Sequence, residues 1–225
     1  MGNTQLTLAI ATAVALFVSG AASPAVAACS IVSDPSQLIK SLHDGGYVLV
    51  IRHADKYADK NAGEDRPKRP KSLNRKLPAS CSNPQDPQVL TDHGVRQARE
   101  IRGALRDVPI SQIFASNACR TIETAEIAFG RAPERYGDLP QLLRSAPEPG
   151  ANTAVVSHSR TIKESLDGLG IELGRKLSCG EAAIIDPDGD NGHPKCVALV
   201  LAAEWRPSSG DLGDWQNRLE CDRRR

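Results

Sequence analysis

The sequence predicts an α/β protein, a three-layer α/β/α sandwich around a mainly parallel sheet. Three observations carry this. Short, continuously apolar runs (residues 47–51, 113–115 and 153–156) alternate with longer stretches of helical periodicity. The helical stretches carry their own start and stop signals. About 200 residues remain once the N-terminal segment is set aside, enough for one domain with a proper core.

Taken in order, residues 1–28 carry no charged side chain and are apolar from 6 to 18. Ala25-Val26-Ala27 forms an A-x-A site, which predicts a signal peptide over residues 1–27 and a mature chain starting at Ala28. The uncharged stretch nearly reaches the length of a membrane span, but Pro24 and the run of Ala and Ser favour cleavage. No other stretch predicts membrane insertion. Val26-Ala27-Ala28-Cys29 also resembles a bacterial lipoprotein box, which would put a lipid on Cys29.

A helix is expected over residues 35–43, with Asp34 as N-cap, Pro35 in its first turn and Gly45 just past its end. The first buried strand then runs from Tyr47 to Arg52. Residues 56–88 read as a basic insertion, with Lys60, Arg66, Lys68, Arg69, Lys71 and Arg75 and few apolar positions. It is either a solvated loop or a lid facing a substrate. Thr91 caps a helix to about Arg106, with Val95, Ala98, Ile101 and Leu105 on one face.

Residues 113–115 form a short strand, and residues 119–129 a helix with Ile122, Ala125, Ile127 and Ala128 inside. Residues 132–150 are rich in Pro and Gly and are expected to be irregular apart from a turn near Leu142-Leu143. A strand over 153–156 and a helix over 160–169 follow. Residues 181–186 and 197–202 are expected to pair as a hairpin around 187–192. The domain closes near residue 206, and residues 207–225 form a tail.

Six cysteines, all beyond the A-x-A site, suit a disulfide framework in an exported protein, periplasmic or secreted. Cys179–Cys196 is the preferred pair, while Cys29 with Cys221 and Cys81 with Cys119 could complete a set whose connectivity the sequence leaves open, six cysteines allowing about 15 pairings. Lipidation of Cys29 would leave an odd number, which favours the soluble form. With 28 Lys and Arg against 27 Asp and Glu, the net charge is +1, so no basic field points to nucleic acid or a membrane surface.

In a parallel sheet all strand C-termini meet one edge. Here that edge receives Arg52 and His53 from one strand, Arg120 from the turn after the second, and His158 from the third. Two guanidinium groups grip an anion by paired bonds, and a neutral imidazole nitrogen can attack phosphorus. Arg120 also opens a helix, whose N–H groups favour a phosphate. The cluster therefore reads as a phosphate site with a nucleophile in it, needing no metal and no cofactor. Other histidines read as structural: His43 at a helix C-terminus and His93 in a first turn. Asp186, Asp188 and Asp190 fall short of a calcium loop, with Asn191 at the glycine position.

Four segments carry a family resemblance: Val48-Leu49-Val50-Ile51-Arg52-His53-Ala54, Leu90-Thr91-x-x-Gly94-x-x-Gln97-Ala98, Ala115-Ser116-x-x-x-Arg120-Thr121-x-x-Thr124-Ala125, and Val155-Val156-Ser157-His158. In this order they resemble the histidine phosphatase (phosphoglycerate mutase-like) superfamily. The exported layout is most similar to periplasmic lipopolysaccharide core heptose phosphatases. The resemblance implies His53 as nucleophile and phosphohistidine, His158 as stabiliser of the transferring oxygens, and Arg52 and Arg120 as phosphate ligands.

Ala54 stands where the family usually has glycine. Leu142-Leu143-Arg144-Ser145 occupies the region where mutase-type members place a glutamate acid, and Ser159 follows His158 where acid phosphatases carry an aspartate. Asp55, Glu148 or a carboxylate of the insertion could serve as general acid, as could a leaving group good enough to need none. The expected activity is an exported phosphomonoesterase acting on a small-molecule or glycan phosphate ester. A non-catalytic phosphate-binding protein of the same fold is the alternative, and mutase-type transfer the third.

Overall fold

A computed structural model describes residues 27–32, 35–57, 68, 70, 73, 75–81 and 88–205. The expected leader, apart from Ala27, the N-cap Asp34, most of the basic insertion and the tail lie outside these residues.

The sheet is built around β2 (Val48–Arg52), whose five residues are all buried. Alternate side chains enter opposite faces, as the twofold period of a strand requires. Leu49 and Ile51 join one core with α1 (Pro35–Asp44), α2 (Asp92–Leu105) and α3 (Cys119–Phe129). Val48 and Val50 join the other with α4 (Leu139–Arg144) and α5 (Ser159–Asp167). Two helical layers therefore sandwich the sheet, as the sequence predicts.

The remaining strands of this sheet are β3 (Ile110–Ala115), β4 (Glu134–Arg135), β5 (Asn152–Ser157), β7 (Ala182–Asp190) and β8 (His193–Val200). Their order is β4-β3-β5-β2-β7-β8. β4, β3, β5 and β2 run parallel, while β7 and β8 add an antiparallel edge. The hairpin differs from expectation at its turn. Asn191 and Gly192 both have positive φ, 58° and 75°, so a two-residue turn joins strands longer than predicted. Within it Asp190 pairs with Lys195 and Asp186 accepts the Asp188 N–H, so these carboxylates are used locally.

The segment expected to be irregular contains β4 and α4. β4 is exposed and exists by pairing Glu134-Arg135 with Phe114-Ala115. α4 is held through Leu139 and Leu143, the second of which is fully buried. Neither is long enough to produce a periodic signal.

Residues 27–32 are stitched onto the fold. Ala27-Ala28 form β1, parallel to β6 (Ile171–Glu172). Leu199 of β8 donates to Ser30 and accepts from Val32, which covers the sheet edge that unpaired strands leave open. Cys29 forms a disulfide with Cys196. This corrects the expected Cys179–Cys196 and Cys29–Cys221 pairs, and it occupies the sulfur that lipidation would need. Cys179 is disulfide-bonded as well. Cys81 and Cys119 are both buried in one cluster with Tyr57, Val89 and Ile122. Among the described residues no helix is long and apolar enough to cross a membrane.

Candidate active site

Parallel strands β2 and β5 lie side by side, with Arg52 paired to Ser157. The residues that follow, His53 and His158, therefore emerge together, and their rings meet edge to face with centroids 5.5 Å apart. Arg120 arrives from the first turn of α3, which follows β3. The charges of Arg52 and Arg120 act on both imidazoles, so all four residues named from the sequence converge.

The main chain of His53 is pinned by donation to Ser157 O at 3.0 Å. Its Nδ1 lies 2.8 Å from its neighbour's carbonyl, Ala54 O. A carbonyl only accepts, so Nδ1 carries the hydrogen and Nε2 keeps a lone pair. Burial lowers the His53 pKa well below its ordinary value; the Ala54 bond opposes this, and the two arginines reinforce it. His158 is pushed down to about 4, again by burial first and then by Arg120 and Arg52. Both rings are neutral at neutral pH.

Arg52 is buried and donates to Leu177 O, which fixes the guanidinium from the loop before β7. Gly180 N returns to Arg52 O, and Arg52 N donates to Glu181 O. Glu181 itself is buried under a two-pronged bond from Arg175 and accepts from Ser178 N.

Several residues in the motifs have roles the sequence did not assign. Thr124 Oγ1 accepts from Ala54 N and donates to Arg120 O, tying the nucleophile loop to the helix that carries Arg120. Gln97 accepts from Asp55 N and donates to Cys179 O, bridging the loops on either side of Arg52. Ser116 Oγ lies 2.8 Å from His158 Nε2. Tyr136, just after β4, bonds Ser157 Oγ, while Arg135 donates to Ser116 O. For Thr124, Gln97 and Ser116 the motif spacing was the available signal, since each sits within one of the four motif segments; Arg135 and Tyr136 lie outside them and carried no such signal.

The two carboxylates fare differently. Asp55 follows the nucleophile loop, but its Oδ2 accepts from the Thr91 hydroxyl and its carbonyl from Thr91 N. That carboxylate anchors the start of α2. Glu148 stands at the far edge of the sheet: its carbonyl accepts from Ala151 N, and Ala151 O accepts from Gly46 N, at the N-terminal ends of β5 and β2. The strand length separates it from both histidines, so it is corrected as a candidate acid. From the insertion, Arg75 turns inward. It bonds Glu123 Oε1 at 2.7 Å and also Leu90 O, while Leu90 N donates to Glu123 Oε2. Glu123 is buried, so Arg75 is a structural anchor and not part of a lid.

A parallel sheet edge bearing two neutral histidines and two arginines can hold a phosphoryl group and present a nucleophilic nitrogen to it. Over residues 77–142 the chain matches the family model described as "Histidine phosphatase superfamily (branch 1)". That stretch includes Arg120 but neither histidine, so the structure supplies their placement. Among solved structures, the protein histidine phosphatase SixA complexed with tungstate is 16% identical, covering 71% of this chain and 99% of its own, with a TM-score of 0.49. A phosphoserine phosphatase from Entamoeba histolytica, in complex with 3-phosphoglyceric acid, is 15% identical, covering 68% and 95%, with a TM-score of 0.46. No protein of curated function matches the sequence.

Proposed function

We propose that the protein is an exported phosphomonoesterase that works through a phosphohistidine on His53. The observation that carries this reading is the Nδ1 bond to Ala54 O, which leaves Nε2 as a lone pair beside two guanidinium groups. Arg52 and Arg120 hold the phosphoryl oxygens, and His158 supports the charge spread over them in the transition state. Nε2 attacks phosphorus and the ester oxygen leaves. Water then attacks the phosphohistidine, releasing phosphate and restoring His53.

The substrate class is a small-molecule or glycan phosphate ester. Export is supported by the A-x-A site and by the disulfides at Cys29–Cys196 and Cys179, which suit a periplasmic or secreted location.

The test is hydrolysis of an aryl phosphate by the mature protein without added metal, with acid quench to trap a phosphoenzyme. Wild type is expected to turn over and to label, and His53→Ala to do neither. Tight phosphate binding with no turnover by wild type would instead identify a binding protein.

A further inference from the structure

The proton on His158 is not settled by the protein alone. Nε2 contacts Ser116 Oγ, while Nδ1 is buried with no hydrogen-bond partner among the described residues. Ser116 Oγ also lies 2.9 Å from Thr121 Oγ1, and the Tyr136 hydroxyl is within its influence. Thr121 has one hydroxyl hydrogen, and its close neighbours Ala118 O at 2.7 Å and Ser116 O at 2.9 Å can only accept. Thr121 Oγ1 is therefore an acceptor towards Ser116.

Two arrangements satisfy this geometry. In the first, Ser116 donates to Thr121 and accepts from His158 Nε2–H, leaving a bare lone pair on Nδ1. In the second, Ser116 donates to Nε2 and the imidazole hydrogen is on Nδ1. A phosphoryl dianion offers only acceptors, so a bare Nδ1 would repel it and an Nδ1–H would bind it.

We propose that Ser116 is a positioning residue that selects the tautomer of His158, so that a bound phosphoryl group meets Nδ1–H while the Ser116 hydroxyl donates to Nε2. The change conserves protons. The imidazole hydrogen leaves Nε2 and one returns to Nδ1 by exchange with water, and the Ser116 hydroxyl rotates from Thr121 to Nε2. Neutral His158 is required, in keeping with its depressed pKa. Thr121 keeps its own bonds to carbonyls, so the fold bears little of the rearrangement. This inference rests on the phosphatase reading, since it assumes that the phosphoryl group sits against His158.

The test combines kinetics with imidazole nitrogen NMR on histidine-labelled protein, using orthovanadate as the phosphoryl mimic. Wild type with vanadate should show His158 protonated on Nδ1, with Nε2 of the unprotonated, hydrogen-bonded type. Ser116→Ala should lose that preference and lower kcat roughly ten- to a hundredfold with KM little changed, the effect of one orienting bond lost. Ser116→Thr, which keeps the hydroxyl, should recover both. An Nε2-protonated His158 in the wild-type vanadate complex, or a Ser116→Ala enzyme with full kcat, overturns the proposal. Absence of wild-type turnover and of phosphoenzyme would instead sink the phosphatase reading, and the vanadate spectrum would still decide the tautomer.

Discussion

Gly94 of α2 lies so close to the nucleophile loop that a Cβ built on it would stand 2.0 Å from the carbonyl oxygen of Asp55. The contact is backbone against backbone, so no rotamer change relieves it. The first turn of α2, the Thr91 cap and the position of His53 two residues before Asp55 are therefore set by one missing methyl group.

Gly94→Ala should push α2 away from residues 53–55. Overpacking of this kind costs about 1–3 kcal/mol, and here the yielding atoms are main chain. A lower Tm with a larger fractional loss of kcat than of folded protein is expected. An alanine variant with unchanged Tm and turnover would mean that the helix shifts without cost.

Arg75 and Glu123 make a second prediction. Removing one member of a buried ion pair strands the other, at about 3–5 kcal/mol, whereas replacing both with apolar groups is far milder. Urea denaturation should find Arg75→Ala much less stable than wild type, and Arg75→Met combined with Glu123→Leu closer to wild type than the single change. Leu90 N would lose its acceptor in the double variant, so recovery should be partial.

Stability should also depend on pH through the histidines. An unfolded histidine titrates near 6.5. His158 in the fold does so only at about 4, and His53 is lowered as well. Above pH 6.5 neither state carries the proton, and the full stability is present. As pH falls towards 4 the unfolded chain takes up protons that the fold refuses, so stability declines and then levels off. Urea midpoints between pH 7.5 and 4.5 should fall, and His158→Asn should flatten part of that slope. An imidazole titration of the folded protein with both histidines changing near pH 6.5 would contradict this.

The disulfide at Cys29 gives a fourth. It closes a separation of 167 residues. Cys29→Ser should cost about 2–4 kcal/mol, chiefly by freeing the unfolded chain. In protein denatured without reductant, Cys29 and Cys196 should resist maleimide, and should react with it once reductant is added.

The site was legible to the extent that strand geometry dictates it. Arg52, His53 and His158 lie at the ends of apolar runs, and a parallel sheet delivers such residues to one edge. Thr91 and Gly45 marked helix boundaries by their own local chemistry. What escaped depends on contacts distant in sequence. β4 is two exposed residues whose strand character comes from Phe114-Ala115, and Cys29 meets Cys196 only after the sheet has formed. The bond from Ser116 to His158 joins residues 42 apart. Asp55 and Glu148 looked equivalent as carboxylates near catalytic segments; one turned out to be tethered by a hydroxyl and the other to stand at the wrong edge, which only the sheet's orientation reveals.

Residues 27–32 have a further consequence, one of timing. They leave the ribosome early, yet their partners (Ile171, Cys196 and Leu199) are among the last parts of the domain to be made. This early-made segment must wait for nearly the whole domain before it can dock. Until then the outer edge of β8 stays open to other strands, and the window for mispairing closes only when the two ends of the domain find each other.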